Sequence, residues 1–449
     1  MRPAGTQAKR SIVRAGHRVG RVRLFTAVTL ALAAGTGIAV AAQLVLARII
    51  TTNHNQLAPP IDVTKLALTV VGGVGGAVAL VVAYRRQRDL EQNRFVERFG
   101  AAAAQLGSGD VAVRIAGVYA MAGVADESNG TNQQQCIDVL CGYLRLPYDA
   151  AHGGSGRTKL VTKTKQNEKV DLEETTEYRQ NDREVRKTIV RVIAEHLRDG
   201  STPDWRTNAF DFRAAHLEDA DFSRVRFDSI AHFEASAFAG HTSFAGATFS
   251  RDTNFGQATF SSYTSFKEAT FSLGANFRQA IFSDDTNFEK ATFSDSTDFT
   301  GATFSGHVGF EQATFSVDAY FAGATFSGDA DFRKATFSVY AGFEQATFSD
   351  ITYFEQATFS LGAYFTGTTF SSYTSFTGAA FSSYADFDTR FDQVAFLSVV
   401  EFQRVDFGKS TVSFRSPRTW DPAPRFDWDQ DASLKPRNIL PQDWPPTVE

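Results

Sequence analysis

Between Phe212 and Phe407 apolar and polar positions follow a period that is neither the 2 of a simple strand nor the 3.6 of a helix. Phenylalanines fall at Phe255, Phe260, Phe266, Phe271, Phe277, Phe282, Phe288 and Phe293, and the series runs on to Phe381 and Phe387. The gaps alternate between five and six, so the repeat period is eleven. Two positions before each ring stands a small residue, such as Ala258, Thr264, Ala269, Ala280 or Thr286. Self-similarity of this kind marks a solenoid, in which each unit buries its apolar side chain only against its neighbours. The eight phenylalanines from Phe255 to Phe293 are the expected repeat core. Each ring points inward and stacks on the ring one coil below, and the small residue turns in at a crowded corner.

If four units close a coil, Phe255 stands under Phe277 and Phe260 under Phe282. The sixth residue of every second unit then falls at two opposite corners as an aligned bulge. About 37 units give about nine coils and a length of roughly 43 Å. Serine follows the ring in the long units (Ser250, Ser261, Ser272, Ser283, Ser294), where its hydroxyl is expected to bond the turn backbone. Outward positions line up from coil to coil. One column is a mixed-charge ladder (Lys267, Glu289, Glu311, Arg333, Glu355), and the opposite one is small and nearly neutral. At one bulge corner Leu273, Val317, Val339 and Leu361 fall in line, and they form the candidate interaction surface for a partner or a second copy.

The remainder of the chain has a different pattern. Residues 1–23 are a basic tail. Leu24–Ala47 and Leu66–Tyr84 are uncharged runs long enough to span a membrane, joined by a short external loop at 48–65. Residues 85–147 predict three amphipathic helices. The first continues the second span to Gly107, the second is capped by Asp110, and the third stops at Pro147. Residues 148–181 are polar and are expected to be a flexible linker. A further helix covers 182–199, the repeats 210–414, and a Pro/Trp-rich cap 415–449, where Trp420, Phe426, Trp428 and Trp444 could cover the open end of the solenoid.

Charge fixes the expected topology. The stretch from Met1 to Leu24 holds seven Lys/Arg and no acid, and Arg85, Arg86 and Arg88 follow the second span. The positive-inside rule then places both termini and the repeats in the cytoplasm of a two-span protein of the cell membrane. From Phe212 to Phe407 there are 24 Asp/Glu against 11 Lys/Arg, a net charge of −13. The only cysteines, Cys136 and Cys141, lie five apart on a helix, share no face, and are expected to be buried thiols in a reducing compartment. Eight dispersed histidines offer no ligand spacing, and Gly153–Thr158 lacks the Gly-Lys-[Ser/Thr] ending of a phosphate loop. No catalytic residue, cofactor or metal is expected.

Three stretches carry a resemblance: RFVERFGAAAAQLGSGDVAVRIAGVYAMAGVADES (Arg94–Ser128), CIDVLCGYLRLPYD (Cys136–Asp149) and EVRKTIVRVIAEHLR (Glu184–Arg198), followed by A-x-[L/F]-x-x units from Ala215. Together they resemble actinobacterial membrane-anchored pentapeptide-repeat proteins, with a departure at Ala122-Gly123, where a bulkier, charged pair is expected. The resemblance implies a membrane-anchored α + β-solenoid: a transmembrane hairpin, a helical module and a right-handed, four-sided β-helix. Two function classes follow. The first is a non-enzymatic, membrane-tethered scaffold, whose partners are membrane lipid, an unidentified protein and a second copy of the chain. The second is a DNA mimic that binds a DNA-handling enzyme such as gyrase; direct nucleic-acid binding is not expected.

Overall fold

A computed structural model describes residues 37, 40, 41, 44, 45, 60–150, 159–166, 170–177, 181–381 and 388–448. The chain divides into two compact units, Met1–Glu97 and Arg98–Glu449. Helix α1 (Pro60–Leu106) is continuous through the second apolar run and ends before Gly107, as the sequence predicts. Among the described residues, however, no helix is long and apolar enough to cross a membrane, so the expected two-span anchor is not found there. Leu24–Ala47 lies almost wholly outside the described residues, as do several side chains of Leu66–Tyr84.

In the second unit, α2 (Val111–Asp126) starts where Asp110 accepts from the backbone N–H groups of Ala112 and Val113. Helix α3 (Thr131–Leu144) buries Ile137, Leu140 and Leu144 together with both cysteines, which are free thiols. Burial pushes the Cys136 thiol up to about 11. The segment expected to be a structureless linker instead holds an antiparallel hairpin, β1 (Lys159–Gln166) with β2 (Val170–Glu177). Its register sets Lys163 opposite Glu173 and Lys165 opposite Asp171, and residues 167–169 lie outside the described residues. Unlike charges at facing positions favour strand pairing without the apolar content that a linker prediction looks for.

From Phe210 to Leu440 the chain winds into a solenoid with four parallel sheets, here called walls 1 to 4 in chain order from Thr253–Asn254, Thr259–Phe260, Thr264–Ser265 and Thr270–Phe271. Coil stands on coil in the expected register, Thr253 pairing with Ala275 and Phe260 with Phe282. Among the described residues wall 1 has eleven strands, which gives ten turns, not nine. The extra coil comes from the tail. Thr419–Trp420, Arg425–Phe426 and Ile439–Leu440 pair in parallel with the coil below, so residues 415–440 prolong the solenoid instead of folding across its end.

All the core phenylalanines from Phe255 to Phe293 are buried. Rings of one wall stack nearly parallel, as Phe288 and Phe310 do at 4.8 Å and 3°. Rings of walls 1 and 3 meet edge to face across the core, as Phe299 and Phe310 do at 5.6 Å and 83°. Both arrangements suit the ring quadrupole.

Short and long units make different corners. After Phe255 the chain turns tightly, Ala258 N–H donating to the Phe255 carbonyl at 3.0 Å with Gln257 at φ +58°. That is a type II turn, which needs a left-handed third residue. Every tight corner from Gln257 to Gly378 obeys it, although most carry Gln, Glu or Lys. These residues accept a conformation that costs about 1–2 kcal/mol, because each N–H is held by the next coil, Gln257 by the Arg278 carbonyl at 2.8 Å. At the wide corners the expected role of serine is not met. Ser250 bonds the Asp228 carboxylate, and Ser261, Ser272, Ser283 and Ser294 have no hydroxyl partner among the described residues. The inward threonines serve instead, Thr264 donating to the Ser262 carbonyl at 3.0 Å and Thr286 to that of Asp284 at 3.2 Å. Threonine is thus frequent after wide corners, where alanine also stands at Ala275, Ala319 and Ala341, whereas nearly every tight corner is followed by alanine. The even coil length runs from Ala231 to Ala363, and later coils are longer, Ala363 pairing with Thr389, Thr389 with Val412 and Val412 with Ile439. Phe391 then stands over Phe365 at 4.7 Å, while Phe387 lies outside the described residues.

Helix α4 (Asp182–Leu197) packs on α2 and α3 and also covers the first coil. Its apolar side is the predicted one, but the junction depends on charges. Arg186, 1 % exposed, donates to Asp182 at 2.8 Å, to the carbonyls of Leu144 and Leu146 at 2.8 and 3.0 Å, and to that of His216 in the first coil at 3.2 Å. Asp182 also accepts from Tyr143 at 2.5 Å. Around this centre Arg145 pairs with Asp211 at 2.8 Å and Arg183 with Glu218 at 2.8 Å. Hydrogen bonding from Arg213, helped by the Arg145 charge, holds the Asp211 carboxyl down at about 2.

Three measurements check this account. Phe310→Ala should cost about 3–5 kcal/mol in chemical denaturation, whereas Ile281→Thr, at an outward site, should change stability by less than about 0.5 kcal/mol. Arg186→Met should cost about 3–5 kcal/mol, because it removes the nearer of the two buried arginines facing Asp182, leaving only Arg114 at 3.9 Å, and strips the Leu144 and Leu146 carbonyls of their donor. Asp211 is ionised more readily folded than unfolded, so its contribution is complete above about pH 4 and lost as pH falls toward 2. The acid limb of the stability profile should therefore flatten in Asp211→Asn.

Candidate interaction walls

An outward side chain on a solenoid wall has its neighbours fixed one coil above and one below, so a site here is a column and not a loop. The four predicted surface residues, Leu273, Val317, Val339 and Leu361, lie on the wide corner between walls 4 and 1, and all are half-buried. They are brought into one line, but their side chains are partly tucked into the corner.

Beside them wall 1 carries a feature that the repeat pattern does not announce. Its outward column runs Asn276, Asp298, Tyr320, Gly342, Tyr364 and Arg390. Gly342 would leave a gap, and Tyr340, two residues earlier, fills it. A Cβ on Gly342 would sit 2.4 Å from the Tyr340 ring. Tyr320, Tyr340 and Tyr364 thus form one stack with centroids 5.3 and 5.0 Å apart, ended by the Arg390 guanidinium 6.0 Å from Tyr364. The Tyr320 hydroxyl donates to Asp318 at 3.0 Å and the Tyr340 hydroxyl to Glu344. Burial and the Glu344 carboxylate push the Tyr340 hydroxyl well above its ordinary range. In the sequence Tyr320 and Tyr364 share a column and Tyr340 falls two residues early, and only the exchange of Gly342 for Tyr340 brings the three together.

Wall 3, opposite, is charged. Lys267 pairs with Glu289 at 2.7 Å across one coil, and Arg333 grips Asp331 through two nitrogens. A groove of about 280 Å³ opens where Gly309 supplies no side chain, edged by Asp285, His307, Glu311 and Arg333. Most of its carboxylates are already paired with cations on the same wall. The acidic bias of the repeats is thus not spread around the rod, because the outward strand positions of walls 2 and 4 are mainly threonine. Among the described residues, no group of three His, Cys, Asp or Glu is arranged to hold a metal ion.

No curated protein and no solved structure matches the chain. Residues 222–270, 244–292, 288–336 and 343–389 do match the family model described as pentapeptide repeats (9 copies). All four stretches lie within the four-walled region, which is therefore a β-solenoid of pentapeptide repeats.

Proposed function

We propose that this chain is a non-enzymatic interaction protein, tethered to the cell membrane, whose solenoid binds a protein partner through wall 1. The observation that carries the reading is the tyrosine stack, Tyr320, Tyr340 and Tyr364, ended by Arg390 and on the wall next to the corner that holds Val317, Val339 and Leu361. Tyrosine and arginine beside apolar residues are the composition of binding hot spots. The rings are already ordered by one another, so little side-chain freedom is lost on binding. The Tyr320 and Tyr340 hydroxyls donate to Asp318 and Glu344, and burial with these carboxylates holds both hydroxyls protonated, so the rings are suited to hydrogen bonding and stacking and not to nucleophilic attack.

Tethering rests on the uncharged runs Leu24–Ala47 and Leu66–Tyr84 and the arginines flanking them, which favour the cytoplasmic side for the repeats. The DNA-mimic alternative is weakened because walls 2 and 4 are mainly threonine outward and the carboxylates of wall 3 are largely paired with cations, so none of these three walls offers a face of unpaired acid to a basic groove.

The tests are direct. The full chain should stay in the membrane pellet through an alkaline wash, and its release into the supernatant would remove the anchor from the reading. In proximity labelling from the native membrane, Val317→Lys with Val339→Lys should lower recovery of partners at least tenfold. Unchanged recovery would count against a contact at this wall.

A further inference from the structure

Walls 2 and 4 carry a pattern that the interaction reading does not use. On each strand of wall 4 a threonine and a serine point outward on either side of a buried phenylalanine. The pairs are Thr248/Ser250, Thr270/Ser272, Thr292/Ser294, Thr314/Ser316, Thr336/Ser338 and Thr358/Ser360, unbroken over six turns. Wall 2 repeats it at Thr303, Thr325 and Thr347 with the serines that follow. There Ile281 interrupts the row, and Arg418 reaches the Thr369 hydroxyl at 3.1 Å.

Three properties set these rows apart from the other two walls. Among the described residues, every hydroxyl of wall 4 except that of Ser250 lacks a hydrogen-bond partner within the chain. The two rows contain no charge. Their geometry is also fixed in both directions. Along the axis the rows repeat at the coil spacing, for which the Phe293–Phe315 and Phe315–Phe337 ring distances of 4.8 Å are the measure. Along each strand the threonine and serine stand about 6.6 Å apart. The inter-coil hydrogen bonds and the buried rings hold the backbone, and a β-branched threonine has little χ1 freedom to lose.

An uncharged wall gives phosphate or an acidic surface nothing to hold. A protein surface of ordinary irregularity would not match one residue pair repeated without variation. A partner that fits must itself be periodic in two dimensions and hydrogen-bond to hydroxyls. The axial spacing lies close to the shorter oxygen repeat on a prism plane of hexagonal ice, the along-strand spacing falls somewhat below the longer one, and the threonine methyl groups supply the apolar patches between which water orders. We propose that wall 4, and over a shorter length wall 2, is an ice-binding surface, able to seat on a growing crystal face and slow its growth. The inference concerns the chemistry of these walls and does not depend on what wall 1 binds or on tethering.

The test uses the full chain in detergent micelles, with ice itself as the probe. Crystal growth is followed in a frozen thin film held just below melting, against empty micelles and an equal mass of a globular protein. The chain should hold mean crystal size near its starting value. Thr314→Lys with Thr336→Lys, which alters only outward positions, should require at least tenfold more protein for the same effect, with far-UV circular dichroism unchanged. The same lysine change at Glu268 and Gln312, on the neighbouring corner, should leave the effect intact. Growth with the unaltered chain equal to that in the controls would overturn the proposal, whether or not the variants fold. So would full activity in a folded double-lysine variant.

Discussion

Everything in the solenoid depends on two distances being the same. Parallel strands repeat at about 4.8 Å, and stacked phenylalanine rings here sit at 4.5–5.1 Å along most of each wall. A column of rings can therefore stand on a column of hydrogen-bonded strands without tilt or gap. The agreement forces the strands of successive coils into one register, because one residue added within a strand would lift its ring out of the column and turn its neighbour inward. The longer coil from Ala363 to Thr389 obeys the same constraint, because its added residues lie outside the paired strands. Rings on both sides of it resume their stacks, Phe391 on Phe365 and Phe402 on Phe376.

Fixed register has a second consequence. Once the interior is occupied by one residue type, variation can only occur outward, and there it is inherited column by column. The walls consequently differ in kind: tyrosine and apolar corner on wall 1, ion pairs on wall 3, hydroxyl rows on walls 2 and 4. The rod is one object mechanically and has several distinct surfaces chemically. This is why the interaction reading rests on a single wall and not on the net charge of the repeats.

A stack of this kind has open ends, and the two ends are closed by different physics. At the start, α3 and α4 lie over the first coil, joined to it by the buried Arg186–Asp182 pair and a ring of ion pairs. At the far end larger rings take over from phenylalanine: Trp428 lies 5.6 Å from Phe407, and Trp444 meets Phe414, Trp420 and Phe426. The prolines that suggested a separate cap sit between strands that still keep the register of the walls.

The sequence by itself determined the repeat, its coil length, the inward residues, the helices from Val111 to Leu144 and the span of α4, because each is a local period or a local capping signal. It also located the Leu273, Val317, Val339 and Leu361 column, since a known coil length turns spacing into adjacency. It did not determine the hairpin at 159–177, whose unlike charges come to face each other only once the strands lie side by side. Nor did it find the buried Arg186, which looks like an ordinary surface arginine until α3 and the first coil close over it. The tyrosine stack was hidden for the same reason: Tyr340 enters its column only because Gly342 leaves a space there. Periodic features are written along one chain direction and can be read from it. Features made by a side chain reaching between elements depend on distances that only the folded chain supplies.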